Sequence, residues 1–293
     1  MTRTIARSLT RLIVDRDRQP RVPSKMVAIV VPVSNRSELL PEEQISLRHL
    51  RHFLGHYDTF YVAPRGLRLE LKGFERVDFP TKFFGSMRAY NRMMYLPELY
   101  ETFEDYKYIL VYHLDSLAFS DELLAWCETD VDYIGAPWIP GADCPWVAEP
   151  SVGNGGFALM KIEPVLKVLE NRYRMEPLNY WKDVASRNLS RFVAPEADAE
   201  TRTSGGLTRR FREAWRRIQE TESNDVLNDV FWSRHASTYL PDFRIPDWTV
   251  ALRFAFEGSP RHCFDLNGRR LPFGCHAWAR YDRQFWEPFL LKP

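Results

Sequence analysis

Apolar runs and amphipathic stretches alternate along most of this chain. Met26 to Val33 is apolar without a break, the pattern of a strand buried on both faces of a parallel sheet. Pro41 to Phe53 then predicts a helix. Pro at the first helical position lacks only an N–H that would have no intrahelical partner, and Glu42 and Glu43 favour the positive end of the helix dipole. Thr59 to Ala63 reads as a second strand. A longer helical stretch covers about Ser86 to Phe103 with an interruption at Pro97, and the apolar run from Tyr108 is a further strand that ends on Asp115. Ser120, Asp121 and Glu122 open a helix toward Cys127 with a capping hydroxyl and early acids. Tyr133 to Trp138 is a strand leaving into a loop, and Gly153 to Gly156 is a glycine-rich turn before Phe157 to Met160. Strands alternating with helices predict βαβ units, a mostly parallel sheet and an α/β fold.

Two stretches depart from this pattern. Ile5, Leu9, Leu12 and Ile13 fall at helical spacing among Arg3, Arg7, Arg11 and Arg16, so residues 1–25 read as a basic amphipathic N-terminal arm closed by Pro20 and Pro23. Between about Glu176 and Ser223 the pattern weakens, and Arg209, Arg210, Arg212, Arg216 and Arg217 around Phe211, Trp215 and Ile218 mark a second basic helix on an insertion near 199–222. Residues 1–25 hold seven Lys/Arg against two Asp, net +5, which leaves about −4 for the rest; the total of +1 gives no electrostatic case for a nucleic-acid partner. A basic amphipathic helix suits either partner packing or an anionic membrane surface. The longest apolar run near the start is far short of the ~20 residues of a membrane-spanning helix, and the arm lacks the apolar middle of a secretory signal. Cys127, Cys144, Cys263 and Cys275 form neither a CxxC pair nor a dense framework, so a reducing, cytoplasmic setting is expected.

Asp115 stands where ligands of open α/β sheets gather, at the end of a buried strand. A carboxylate there suits a divalent metal carrying a phosphate, and strand alternation would turn His113 and Asp115 toward one ligand. Three glycines among Gly153, Gly155 and Gly156 permit positive φ and close backbone approach, either for a substrate lying on the N–H groups or for a simple tight turn. Asp225 and Asp229 are one helical turn apart, and a carboxylate there could take a proton from an acceptor hydroxyl. His276, in Pro272-Phe273-Gly274-Cys275-His276, reads as a core histidine or, with Asp115, as part of a mixed oxygen and nitrogen set suited to Mn²⁺. Trp138 and Trp146 offer faces on which a sugar could stack.

Taken in order, six segments resemble the motifs of a known family: Tyr90-Asn91, His113-Leu114-Asp115, Asp132 to Trp138, Gly153 to Phe157, Asn228-Asp229-Val230-Phe231 and Pro272 to His276. It is a family of little-characterised glycosyltransferase-like proteins, described only as a domain of unknown function, with the GT-A nucleotide-sugar transferase fold. The resemblance spans about Met26 to Trp286. It implies a Rossmann-like, mostly parallel sheet in a single catalytic domain, residues 26–293, with the nucleotide sugar held by about 26–130 and the acceptor by about 131–293. Pro32, Val33 and Arg36 would meet the nucleoside, Arg88, Tyr90 and Asn91 the nucleobase or diphosphate, and His113 the donor. Asp115 resembles the final acid of the family's metal motif and His276 the C-terminal histidine ligand, with Mn²⁺ or Mg²⁺ as cofactor. Trp138, Gly155, Gly156 and Phe157 would shape the acceptor site, and Asp229 would be the base of an inverting transfer. Two positions depart from the pattern. His113 stands where GT-A enzymes commonly carry an acid and this family Gln, which leaves its contact with the metal open, and the acid pair expected at the base is here Asn228-Asp229.

The implied function is metal-dependent transfer of a sugar from a nucleotide-sugar donor to a glycan or lipid-linked hydroxyl acceptor, in polysaccharide or glycoconjugate synthesis, with a peripheral membrane contact through the basic helices. The alternatives are nucleotidyl or phosphoryl transfer at the same metal site, and a catalytically silent carbohydrate-binding or scaffold protein.

Overall fold

The structure is a computed structural model that describes residues 22–176 and 226–292. Nearly all of the basic arm, the whole basic insertion and Asp225 fall outside the described residues. In chain order the strands are β1 (Lys25–Pro32), β2 (Thr59–Pro64), β3 (Glu75–Phe79), β4 (Tyr106–Tyr112), β5 (Leu117–Ala118), β6 (Tyr133–Gly135), β7 (Pro137–Trp138), β8 (Ser151–Val152), β9 (Phe157–Lys161), β10 (Ala255–Phe256) and β11 (Gly274–Cys275).

Six of them form the central sheet in the order β3-β2-β1-β4-β9-β6. β1 pairs in parallel with both β2 and β4, β2 with β3, and only β9 runs against its neighbours. The expected mostly parallel α/β sheet is therefore the observed one. Val27–Val31 and Tyr108–Tyr112 lie at its centre and are almost wholly buried, because helices cover both faces of a parallel sheet and leave no solvated side for polar residues. The helix Pro41–Leu54 connects β1 to β2, with Glu43 Oε2 accepting the Leu40 N–H at 2.7 Å to close its first turn. The long helical stretch divides as the proline requires, into Met87–Met94 and Pro97–Glu101.

Some local readings are corrected. β3 is an additional strand; Glu75-Arg76-Val77-Asp78-Phe79 carries charges because it is an edge strand, where polar residues hinder further pairing. The helix Leu123–Glu128 begins without a side-chain cap, and Asp121 instead accepts the Tyr57 hydroxyl at 2.9 Å. Among the described residues the helix of the Asn-Asp motif starts only at Asn228 and runs into a π-helical turn, Phe231–His235, so a shared helical face with Asp225 has no support.

β1 feeds β2 on one side of the sheet, whereas β4 lies on the other, so the strand order reverses between β1 and β4. Such a switch point leaves a crevice at the C-terminal strand ends. A second, small sheet, β10-β11-β5, closes over that edge, with β10 and β11 parallel and β5 antiparallel to β11. All four cysteines are free thiols in the interior. No helix among the described residues is long and apolar enough to cross a membrane.

Candidate active site

The switch-point crevice is a cleft of about 650 Å³, in the size range of small-molecule sites. Its walls are Pro32 to Arg36 after β1, Phe83 to Ser86 with Tyr90, and His113 to Asp115 after β4. Pro32, Val33, Arg36, Tyr90 and His113 thus line one cleft. Arg36 donates to Glu43 Oε1 at 2.5 Å, which fastens its guanidinium to the neighbouring helix. Ser34, Asn35, Phe83, Phe84 and Ser86 also line it, and Leu40, Glu42 and Glu43 complete the walls. Arg88 is exposed on the first turn of its helix and outside the lining, and Asn91 is buried beneath it.

His113 and Asp115, which line the cleft, come together with His276, one potential ligand atom of each lying within 4.8 Å of the others. The route to this meeting differs from strand alternation. β4 stops at Tyr112, and His113 to Ser116 form a turn closed by the Ser116 N–H donating to the His113 carbonyl at 2.9 Å. β5 follows that turn and pairs with β11, Cys275 opposite Leu117, so the residue after β11 meets the residues before β5. His276 therefore reaches Asp115, Nε2 to Oδ1 3.2 Å.

The charges are arranged around that contact. Burial opposes protonation of His276, but Asp115 and Glu257 on either side outweigh it and hold the imidazole up at about 10. Burial also opposes ionisation of Asp115, and the facing His276 overrides it and keeps the carboxyl well below the usual carboxylate range. His113 goes the other way, pushed down to about 4 by burial and by its cationic neighbour His276. Neutral His113 shares a hydrogen bond with the Tyr90 hydroxyl, Nε2 to O 2.7 Å.

The donor set fits a divalent cation. Two ligands at right angles about 2.1 Å from one ion lie about 3 Å apart, close to the Asp115–His276 separation. Two imidazoles and a carboxylate are a nitrogen and oxygen set able to hold a divalent metal ion. The other nitrogen of His276, Nδ1, is 2.9 Å from Glu257 Oε1, the carboxylate support that fixes a ligand histidine's tautomer and orientation.

Glu257 escapes the motif reading, yet it carries the same signal as Asp115: an acid directly after an apolar run, here Phe254-Ala255-Phe256. β10 and β11 are parallel neighbours, so the residues that follow them, Glu257 and His276, sit side by side.

The glycine motif owes its composition to close approach. None of its glycines has positive φ. A Cβ on Gly153 would lie 2.3 Å from the Trp138 ring, one on Gly155 3.0 Å from Asn228 Oδ1, and one on Gly156 2.2 Å from His276 Nε2. Asn228 and Asp229 therefore pack against Gly155 and His276 against Gly156. Asp229 is partly buried, and its carboxyl is pushed up by burial and by Glu257. Asn228 is held by Asn91, whose Oδ1 accepts from Asn228 Nδ2 at 2.6 Å; Asn91 is thus a buried support for the Asn-Asp motif and makes no wall of the cleft.

All four acceptor candidates, Trp138, Gly155, Gly156 and Phe157, are buried. The motif glycines are buried, and the Gly156 N–H is spent on Asn154 Oδ1 at 2.7 Å, so they offer no exposed N–H row. Phe157 has no exposed surface and packs among Tyr112, Phe254 and Phe273. Trp138 is buried against Gly153 with Arg234 over its ring, whereas Trp146 is 64 % exposed.

Fold and site together define an α/β protein with a nitrogen and oxygen ligand cluster at the switch point of a mostly parallel sheet. Residues 73–276 match the family described as "Protein of unknown function (DUF5672)", and the chain belongs to that family. No curated protein matches it. Among solved structures it is similar to two of the glycosyltransferase GlyE of Streptococcus pneumoniae TIGR4: the apo form, at 13% identity and TM-score 0.38, and a second at 11% and 0.46. Each similarity covers 92% of this chain and 61% of that one, so the chain spans less than two thirds of GlyE. The bifunctional IspDF from Campylobacter jejuni is similar at 12% identity and TM-score 0.33, over 50% of this chain and 43% of that one.

Proposed function

We propose that this protein is a metal-dependent glycosyltransferase, moving a sugar from a nucleotide-sugar donor to a hydroxyl acceptor with inversion. The observation that carries the reading is the meeting of His113 and Asp115 of the switch-point cleft with His276, and the place of Asp229 beside the glycine turn. Asp115 and His276, with His113 beside them, would hold Mn²⁺ or Mg²⁺, which when bound neutralises the charge developing on a leaving diphosphate. Pro32 to Arg36 and Tyr90 would position the nucleotide. Asp229 would accept the proton of the acceptor hydroxyl as its oxygen bonds to the anomeric carbon and the bond to the diphosphate breaks. A partly buried carboxylate with a raised pKa is a better base for that step than an exposed one. Gly155 and Gly156 let Asp229 and His276 approach the turn closely, and exposed Trp146 is the candidate platform for a glycan.

A screen of sugar nucleotides tests this, with nucleoside diphosphate release followed in Mn²⁺ and in Mg²⁺. Metal-dependent release with sugar transferred is expected. Release of pyrophosphate would favour nucleotidyl transfer, and no turnover of any donor would favour a silent binding protein. A lipid-linked acceptor met through the basic arm is tested by liposome flotation with and without residues 1–25; equal flotation would sink the arm's role.

A further inference from the structure

Glu257 does more than face the candidate metal ligand. Its Oε1 receives two hydrogen bonds, one from His276 Nδ1 at 2.9 Å and one from Asn154 Nδ2 at 2.6 Å. Asn154 in turn accepts the Gly156 N–H at 2.7 Å through Oδ1. The Gly156 carbonyl then accepts from the His113 N–H at 2.8 Å and from Ser116 Oγ at 3.1 Å, on the turn that carries Asp115. These hydrogen bonds and the Asp115–His276 ion pair therefore close a ring: Asp115, His276, Glu257, Asn154, Gly156 and back to the turn His113 to Ser116. Glu257 is 8% exposed, Asn154 7% and Ser116 0%, so water offers little substitute for any broken member. Gly156 also packs directly on the His276 ring, so the ring cannot move toward the turn without displacing it.

We infer that Glu257 is a positioning residue that couples the metal site to the glycine turn: ion affinity depends on Asn154, which is no ligand, and the order of the turn depends on the ion. The inference rests on the metal reading above. Its physical basis is that an ion at Asp115 and His276 fixes the imidazole, the fixed imidazole orients the shared Glu257 oxygen, and that oxygen selects one rotamer of Asn154. Asn154 then holds the backbone against which Asp229 stands. Each site would bias the other by the same factor.

MnCl₂ alone, titrated by calorimetry into the full-length protein, tests this. Glu257→Gln is expected to weaken Mn²⁺ binding by about 10-fold or more, as loss of a ligand's outer support does. Asn154→Ala is expected to weaken it by about 5-fold or more, and the double variant to add nothing beyond Glu257→Gln. Wild-type affinity in a folded Asn154→Ala variant overturns the coupling while the metal site stands. A wild-type protein that takes up no Mn²⁺ overturns the coupling and the metal reading together. Should Asn154→Ala fail to fold, amide exchange at Gly156 in the wild type decides: slower exchange with Mn²⁺ supports the coupling, and an unchanged rate overturns it.

Discussion

Gly156 stands so close to His276 that a Cβ on it would lie 2.2 Å from the Nε2 atom facing Asp115. Gly156→Ala must therefore push the imidazole away or shift the turn. The expected result is a loss of roughly 1–3 kcal/mol in unfolding free energy, the range of core overpacking. Mn²⁺ affinity is expected to fall by about 10-fold or more, the scale of losing a ligand's support. Urea unfolding and metal titration check both; wild-type metal affinity would show that the His276 ring is not a ligand in its present position.

Asp229 lies beside Gly155, and its own oxygen accepts the Val230 N–H at 2.8 Å. Asp229→Asn keeps the shape and removes the proton acceptor. Donor affinity is expected to stay at the wild-type value and turnover to fall by about 10²–10⁴-fold, the usual contribution of a general base. Equal turnover in the two proteins would remove Asp229 from the chemistry.

The Asn91–Asn228 pair is buried, and Asn228 Oδ1 has no partner among the described residues. Asn91→Leu would also leave Asn228 Nδ2 without its acceptor. A loss of about 1–3 kcal/mol is expected for stranding that amide. Denaturant unfolding of the variant tests it, and unaltered stability would mean that the cleft's own solvent replaces the bond.

His49 joins distant segments through a neutral ring. Its Nδ1 donates to the Ala118 carbonyl at 2.9 Å, and Nε2 accepts the Leu291 N–H at 3.0 Å, which a protonated ring could not do. Burial, with the nearby His52 and Arg48 adding to it, lowers its pKa below the ordinary 6.5 despite the bond to Ala118. Below that ordinary value the unfolded chain binds a proton that the folded one resists, so this contribution to stability is present at higher pH and lost as pH falls. Unfolding free energy measured between about pH 7.5 and about pH 5 should fall more steeply for the wild type than for His49→Gln. Parallel profiles would rule out His49 as the source.

Strand and helix are legible in this chain wherever one local rule acts without competition. β1 and the core of β4 are unbroken apolar runs because both faces are covered, and the helix Pro41–Leu54 announces itself through Pro41, Glu42 and Glu43. β3 was hidden because an edge strand needs little apolar surface, and its charges resemble those of a loop. The placement of Asp115 at a strand end was legible for the same reason as β4 itself.

The amino-acid pattern by itself thus determined the class of fold, the apolar strands, and the residue types able to hold a metal. Only the tertiary structure decided which of them meet. Pairing of β5 with β11, and of β11 with β10, brings Asp115, His276 and Glu257 together from three separate parts of the chain. It also showed that Phe157 fills the core and that the motif glycines exist for what presses against them. Periodicity along a chain reports how each segment is buried, whereas contact between distant segments depends on strand order and register, which no local pattern encodes.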